Sequence, residues 1–526
     1  LDDQVAPAER DVEHLIAVVE RLGNKTPRGL AFLAPGNLPT KGNYMGLFGI
    51  LLALSLMMWL AYRGWSVLLV APAAALLAAG LSGEPLLAHW TQTFMGGASR
   101  FVAQWFPLFL LGGLFGKLMD DSGSITSIAD YLTECLGTRR AILSVVLASA
   151  VVTYGGVSVF VAFFVLVPMA QKMFRAANIP RRLMPATICL GAFTFTMSAL
   201  PGSPSINNAI PMPYFGTTPF AAPGLGIIAS LIILAFGLWW LNRAEAAARL
   251  AGEGYGTDPG ATVPEVNERV REHATNVGQF DPAEALQGKR TEGTPPFALA
   301  ILPLVVVIVM NFLMSLVVLP RLDFSFLAQE AWGKTTFGAL VGIWSVAIAL
   351  LAGILTIVAA NFHRLPSLRK SMDAGANSAV LPVLTVGSLV GFGAVVAALP
   401  AFARVRDAVL SIQGGPLVSL TVAMNVLASL TGSASGGMVI ALDALGETYK
   451  ALALEHGINP ELMHRVATLG SGTLDSLPHN GTVLTVLQVS GLTHGESYFD
   501  MVMTVIVGVI LALAAMILLG TVFGSF

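Results

Sequence analysis

Two stretches decide how this chain is read: Ala199-Leu200-Pro201-Gly202-Ser203-Pro204-Ser205-Ile206-Asn207-Asn208 and Asp475-Ser476-Leu477-Pro478-His479-Asn480-Gly481. Each is polar, proline-broken and set in a strongly apolar run. Proline removes a backbone donor and clashes with the preceding turn, so a helix fails there. In a bilayer, the freed N–H and C=O groups cost several kcal/mol each unless protein, water or a ligand satisfies them. The stretches occupy corresponding places in the two halves of the chain. Matched interruptions of that kind point to a binding site near the bilayer midplane.

The surrounding composition agrees with a membrane setting. Of 526 residues, 11% are charged and 55% hydrophobic, and the mean hydropathy is +0.73. A soluble domain carries about 25% charge. The apolar runs have the ~17–25 residues that a spanning helix needs and a barrel strand does not. The expected fold is an all-α polytopic membrane protein with about 10–12 transmembrane helices. A net charge of −2 offers no basic face for phosphates, so nucleic acid is excluded as a partner. Cys135 and Cys189 lack metal-ligand spacing and the eight histidines are scattered, so no metal site, haem or other cofactor is expected.

Residues 1–44 are polar and read as an N-terminal extension outside the fold, with a cytosolic tail as the alternative. Residues 45–241 form a first membrane repeat, 242–294 a polar inter-repeat loop and 295–526 a second repeat. The runs 141–173 and 416–445 are long for single spans. They enclose Tyr154-Gly155-Gly156-Val157-Ser158 and Thr431-Gly432-Ser433-Ala434-Ser435-Gly436-Gly437. Glycine relieves the left-handed backbone penalty, so each cluster can turn the chain back into a re-entrant helical hairpin. The alternative is a kinked helix, or two ordinary spans, with small residues at a packing surface. PLFLLGGLFG from Pro107 pairs with PVLTVGSLVG from Pro382, Gly155-Gly156 with Gly436-Gly437, and Leu200-Pro201 with Leu477-Pro478, at offsets of 275 to 281 residues. The natural inference is a pair of inverted repeats, each with one hairpin and one broken helix.

At a broken helix, free N–H groups at the new N-terminus suit an anion, and free carbonyls suit a cation. Ser203, Ser205, Asn207 and Asn208 add hydroxyl and amide groups, as do Thr473, Ser476, Asn480 and Thr482 in the second half. Such groups fit a hydroxylated substrate, or simply cap the helix ends. Asp475 and His479 are the ionisable pair within a break. Burial favours the neutral form of either, so both are candidates for carrying a proton. An acceptor at a helix end and an imidazole in a wet vestibule are the structural alternatives. No deep segment carries a well-placed arginine on this reading, since Arg465 stands at the mouth of its run. Lys117 with Asp120 and Asp121 reads as an interfacial helix end with a snorkelling lysine.

With these residues in view, the chain resembles the gluconate permease (GntP-type) family of the ion transporter superfamily over about residues 45–526. The likeness rests on FPLFLLGGLFGKLMDDSGS from Phe106, YGGVSVFVAFF from Tyr154, SALPGSPSINNAIP from Ser198, GSASGGM from Gly432 and LDSLPHNG from Leu474. It implies a bacterial inner-membrane protein, not an enzyme, that imports gluconate or a related small hydroxycarboxylate by proton symport. It also implies a homodimer with a scaffold and a moving transport domain. Carried over by position, it puts hairpin tips at 155–158 and 433–437 and unwound segments at 201–208 and 476–481. The substrate-binding candidates are then Gly155, Gly156, Ser158, Ser203, Ser205, Asn207, Asn208, Ser433, Ser435, Gly436, Asn480 and Thr482, with Asp475 and His479 for proton coupling. Sodium coupling stays open, because serine-rich tips and backbone carbonyls also suit that ion. An anion channel would need a charged ring or hydrophobic gate. An embedded enzyme would need a third group to orient Asp475 and His479.

Overall fold

The computed structural model describes residues 41–63, 65–256, 293–365, 367–478 and 480–526. Most of the expected N-terminal extension and of the inter-repeat loop, and His479, lie outside the described residues. Met45–Phe526 forms one compact unit. Among the described residues there are helices and turns but no strand. Among the described residues seven helices are long and apolar enough to cross a bilayer, or eight if Ser124–Leu136 and Thr138–Tyr154, a pair bent by 101° at Gly137, count as one broken span. Shorter apolar helices include Val67–Leu81, Gly415–Thr431 and Gly481–Ser490.

The elements that position the site fall into two similar sets. The first half contributes α1 (Met95–Asp121), α2 (Ala141–Tyr154), α3 (Val159–Ala176) and α4 (Met184–Ala192), followed by the irregular stretch through Pro201 and then α5 (Pro223–Leu250). The second contributes α6 (Phe297–Leu313), α7 (Phe337–Asn361), α8 (Val380–Ala398), α9 (Gly415–Thr431), α10 (Ala434–Glu455), α11 (Pro460–Leu474) and α12 (Gly481–Ser490). A span from His494 to Phe523 ends the chain. Helix α5 continues nine residues past Leu241, into the stretch expected to be loop. Its end is built of Ala, Glu, Arg and Leu, all strong helix formers. Glu245 and Arg249, one turn apart and 2.6 Å from each other, reinforce it.

Both glycine clusters turn the chain. Helices α2 and α3 pack together around the turn at 155–158, and α9 packs on α10 around Gly432 and Ser433. Gly156 has φ +100°, and a side chain there would press on Pro204. Gly437 lies against the backbone of Leu427 and Ala428, so the arms of the second hairpin touch main chain to main chain. Without a hydrophobic driving force in lipid, such close small-residue contacts are what holds helices together. Each hairpin also packs its first arm on its own broken helix: α2 on α4 at Gly191, and α9 on α11 at Gly470. The two halves therefore repeat a contact as well as a sequence pattern.

Candidate functional site

The first break replaces helical hydrogen bonds with side chains from elsewhere. Leu200 N–H still donates to Phe195 O, but the next amide, Gly202 N–H, donates out of the helix to Pro219 O. Tyr154 Oη donates to Pro201 O at 2.6 Å, tying the first hairpin tip to the break. Asn311 Nδ2 of α6 donates to Gly202 O at 2.9 Å. The Arg465 guanidinium of α11 donates to Ser198 O, Ala221 O and Asn208 Oδ1. Arg465 is fully buried. The expectation that no deep segment holds a well-placed arginine is thereby overturned: a break this rich in free acceptors needs a rigid five-donor group, and arginine is one.

The second break is satisfied in the same manner. Tyr498 Oη donates to Ser476 O at 3.0 Å and His494 Nε2 to Pro478 O at 2.9 Å. Asn480 caps α12, its Oδ1 accepting from Thr482 N and Val483 N, while its Nδ2 donates to Gly432 O at 2.9 Å. That last bond ties the second tip to its break, the counterpart of Tyr154 and Pro201. Asp475 is 3% exposed and takes hydrogen bonds from Ser476 Oγ at 3.1 Å and from the Ala434 N–H that opens α10. A carboxylate at a helix N-terminus meets the positive end of the helix dipole.

All four irregular elements border one cavity of about 250 Å³. The first tip supplies Gly156 and Ser158, the first break Ser205 and Asn207, the second tip Ser433 and Ser435, and the second break Asp475, Asn480 and Thr482. Four of the sequence candidates stand behind this surface. Gly155 packs on Leu304, and Gly436 N–H donates to Ser433 Oγ while the residue packs on Leu389. Ser203 Oγ accepts from Ser205 N at 3.3 Å. Asn208 is fully buried, with Nδ2 donating to Ser203 O and Pro219 O and Oδ1 shared by Arg465 and His464.

The cavity has residues that the sequence reading missed. Helix α1 contributes Gly112, Gly113, Gly116 and Lys117, and α8 contributes Thr385. Lys117, 4% exposed, is a cavity cation and not an interfacial end; Asp120 and Asp121 beside it are buried too. Its position inside GGLFGKLMDD was the available signal, because an ionisable group at membrane depth is a functional candidate by default.

Residues 44–217 match the GntP family permeases. A relative described as the uncharacterized transporter YxjC of Bacillus subtilis (strain 168) is 41% identical over 465 residues, which is 87% of this chain and 95% of that protein. In fold, the chain is similar to the Alcanivorax borkumensis YdaH transporter, with a TM-score of 0.53 at 16% identity, over 92% of this chain and 98% of that one. The chain belongs to the GntP family of permeases, and is a multi-pass transporter of the bacterial inner membrane.

Proposed function

We propose that this chain imports gluconate or a related small hydroxycarboxylate by proton symport, with the substrate held between the two hairpin tips and the two breaks. One observation carries the reading: all four irregular elements, two from each half, border a single cavity. Their Ser, Thr and Asn side chains offer donors and acceptors to a chain of hydroxyl groups. Ser205 Oγ makes no hydrogen bond among the described residues, so it has capacity for a ligand. Asp475 is the acidic group in this lining and the proton carrier on this reading. Ionised, it binds the N-terminus of α10; protonated, it carries no charge across the bilayer.

Uptake into proteoliposomes tests the coupling. Accumulation of gluconate should follow an imposed pH gradient and collapse when an uncoupler dissipates it. Accumulation that ignores the pH gradient and follows sodium would replace the proton with that ion. The site itself is tested at Asn207. Removing one neutral hydrogen bond costs about 1 kcal/mol, so Asn207→Ala should raise the half-saturation concentration roughly fivefold at unchanged expression. Unaltered half-saturation with lower expression would assign Asn207 a structural role alone.

A further inference from the structure

We infer that Lys117 is the residue that holds the substrate carboxylate, with Asp121 as its resident counter-ion in the unloaded protein. The inference rests on reading the cavity as the transport site. Among the described lining residues Lys117 is the cation. Its Nζ lies 3.0 Å from Asp121 Oδ1, one turn along α1, and both side chains are almost wholly shielded from solvent. The Asp121 carboxylate oxygens make no hydrogen bond among the described residues. A second carboxylate can share the Lys117 ammonium with Asp121, since lysine is a compact charge with three donors.

The helix face beside Lys117 is cleared for a ligand. Gly112 lines the cavity and a Cβ there would meet nothing within 4 Å, so packing does not demand glycine at that position. Gly116 brings α1 to Ser158 at the start of α3, where a Cβ would lie 3.6 Å from the Ser158 nitrogen. On α8, which packs against α1, Thr385 also lines the cavity; it is 3% exposed and its Oγ1 makes no hydrogen bond among the described residues. A buried hydroxyl without a partner is costly. A hydroxyl of the substrate, bound by its carboxylate to Lys117, can satisfy it. The ligand class is therefore a small monocarboxylate with hydroxyl groups.

Thermal-shift titrations of the purified full chain with gluconate and with its neutral amide test this. A charge-assisted contact should favour the acid over the amide by about ten- to a hundredfold in the wild-type protein. Equal binding of the two overturns the assignment. Lys117→Gln alone would strand Asp121, so the informative variant pairs it with Asp121→Asn, which removes both charges together. That double variant should lose the preference for the acid and keep its affinity for the amide. Retained preference for the acid also overturns the assignment. Asn207→Ala separates the two readings: weaker gluconate binding there, with an unaffected double variant, discards Lys117 and keeps the cavity. If neither change alters gluconate binding, the cavity reading itself falls.

Discussion

Asp475→Asn is expected to abolish accumulation of substrate against a gradient while exchange of internal for external substrate continues. The amide keeps the size of the carboxyl and an oxygen that can accept from Ala434 N–H and Ser476 Oγ, so the anchor at the start of α10 survives. What is lost is the group that can take a proton on one side and release it on the other. One proton moving with one monovalent anion is electroneutral. Each unit of pH difference then supports about tenfold accumulation, and the variant should fall to a ratio of about one. Counterflow with labelled substrate in proteoliposomes measures the exchange, and uptake under an imposed pH gradient measures the accumulation. A variant that accumulates to the wild-type level removes Asp475 from the coupling and leaves His479 as the group to test.

The second large effect is on stability. Arg465→Ala should prevent the first break from holding its shape. Arg465 donates to Ser198 O, Ala221 O and Asn208 Oδ1, all buried in a region where no helix partner is available. Each acceptor left unsatisfied costs about 1–3 kcal/mol. Asn208 Oδ1 keeps its bond from His464 Nε2, but the bonds to Ser198 O and Ala221 O are lost together, a large share of the ~5–15 kcal/mol that holds a typical domain together. Little monodisperse protein should be recovered in detergent, and what is recovered should melt well below wild type. Arg465→Lys keeps the charge but lacks the planar five-donor fork, so its melting temperature should fall between the two. A wild-type melting temperature for Arg465→Ala would mean that the break is held by other bonds.

The fold was legible because lipid imposes simple rules on sequence. Apolar length marks spans, and Pro and Gly mark the places where spans fail. The paired breaks at Pro201 and Pro478, and the turns at Gly156 and Gly432, followed from those rules alone. The site was legible only in part. Ser205, Asn207, Asn480 and Asp475 border the cavity because they lie in the breaks themselves. Ser203 and Asn208 share that stretch but face inward, where Asn208 meets Arg465, and a chain without helical periodicity does not announce which side a residue takes. Lys117 and Thr385 were missed for a different reason: they sit on continuous helices, and only tertiary packing brings those helices against the tips. Arg465 was misplaced because its partners are carbonyls 244 or more residues away, a bond that leaves no local pattern.

The contacts at Gly191 and Gly470 bear on how such a site can open. At each, the helices approach so closely that an added methyl would strike its neighbour, with Val146 O of α2 against Gly191 and Met424 Cβ of α9 against Gly470. Surfaces in such contact do not slide past one another by a helical turn. Each hairpin and the broken helix beside it therefore form one close-packed pair. Helices α1 and α8 complete the cavity wall beside these pairs with Gly112, Gly113, Gly116 and Thr385.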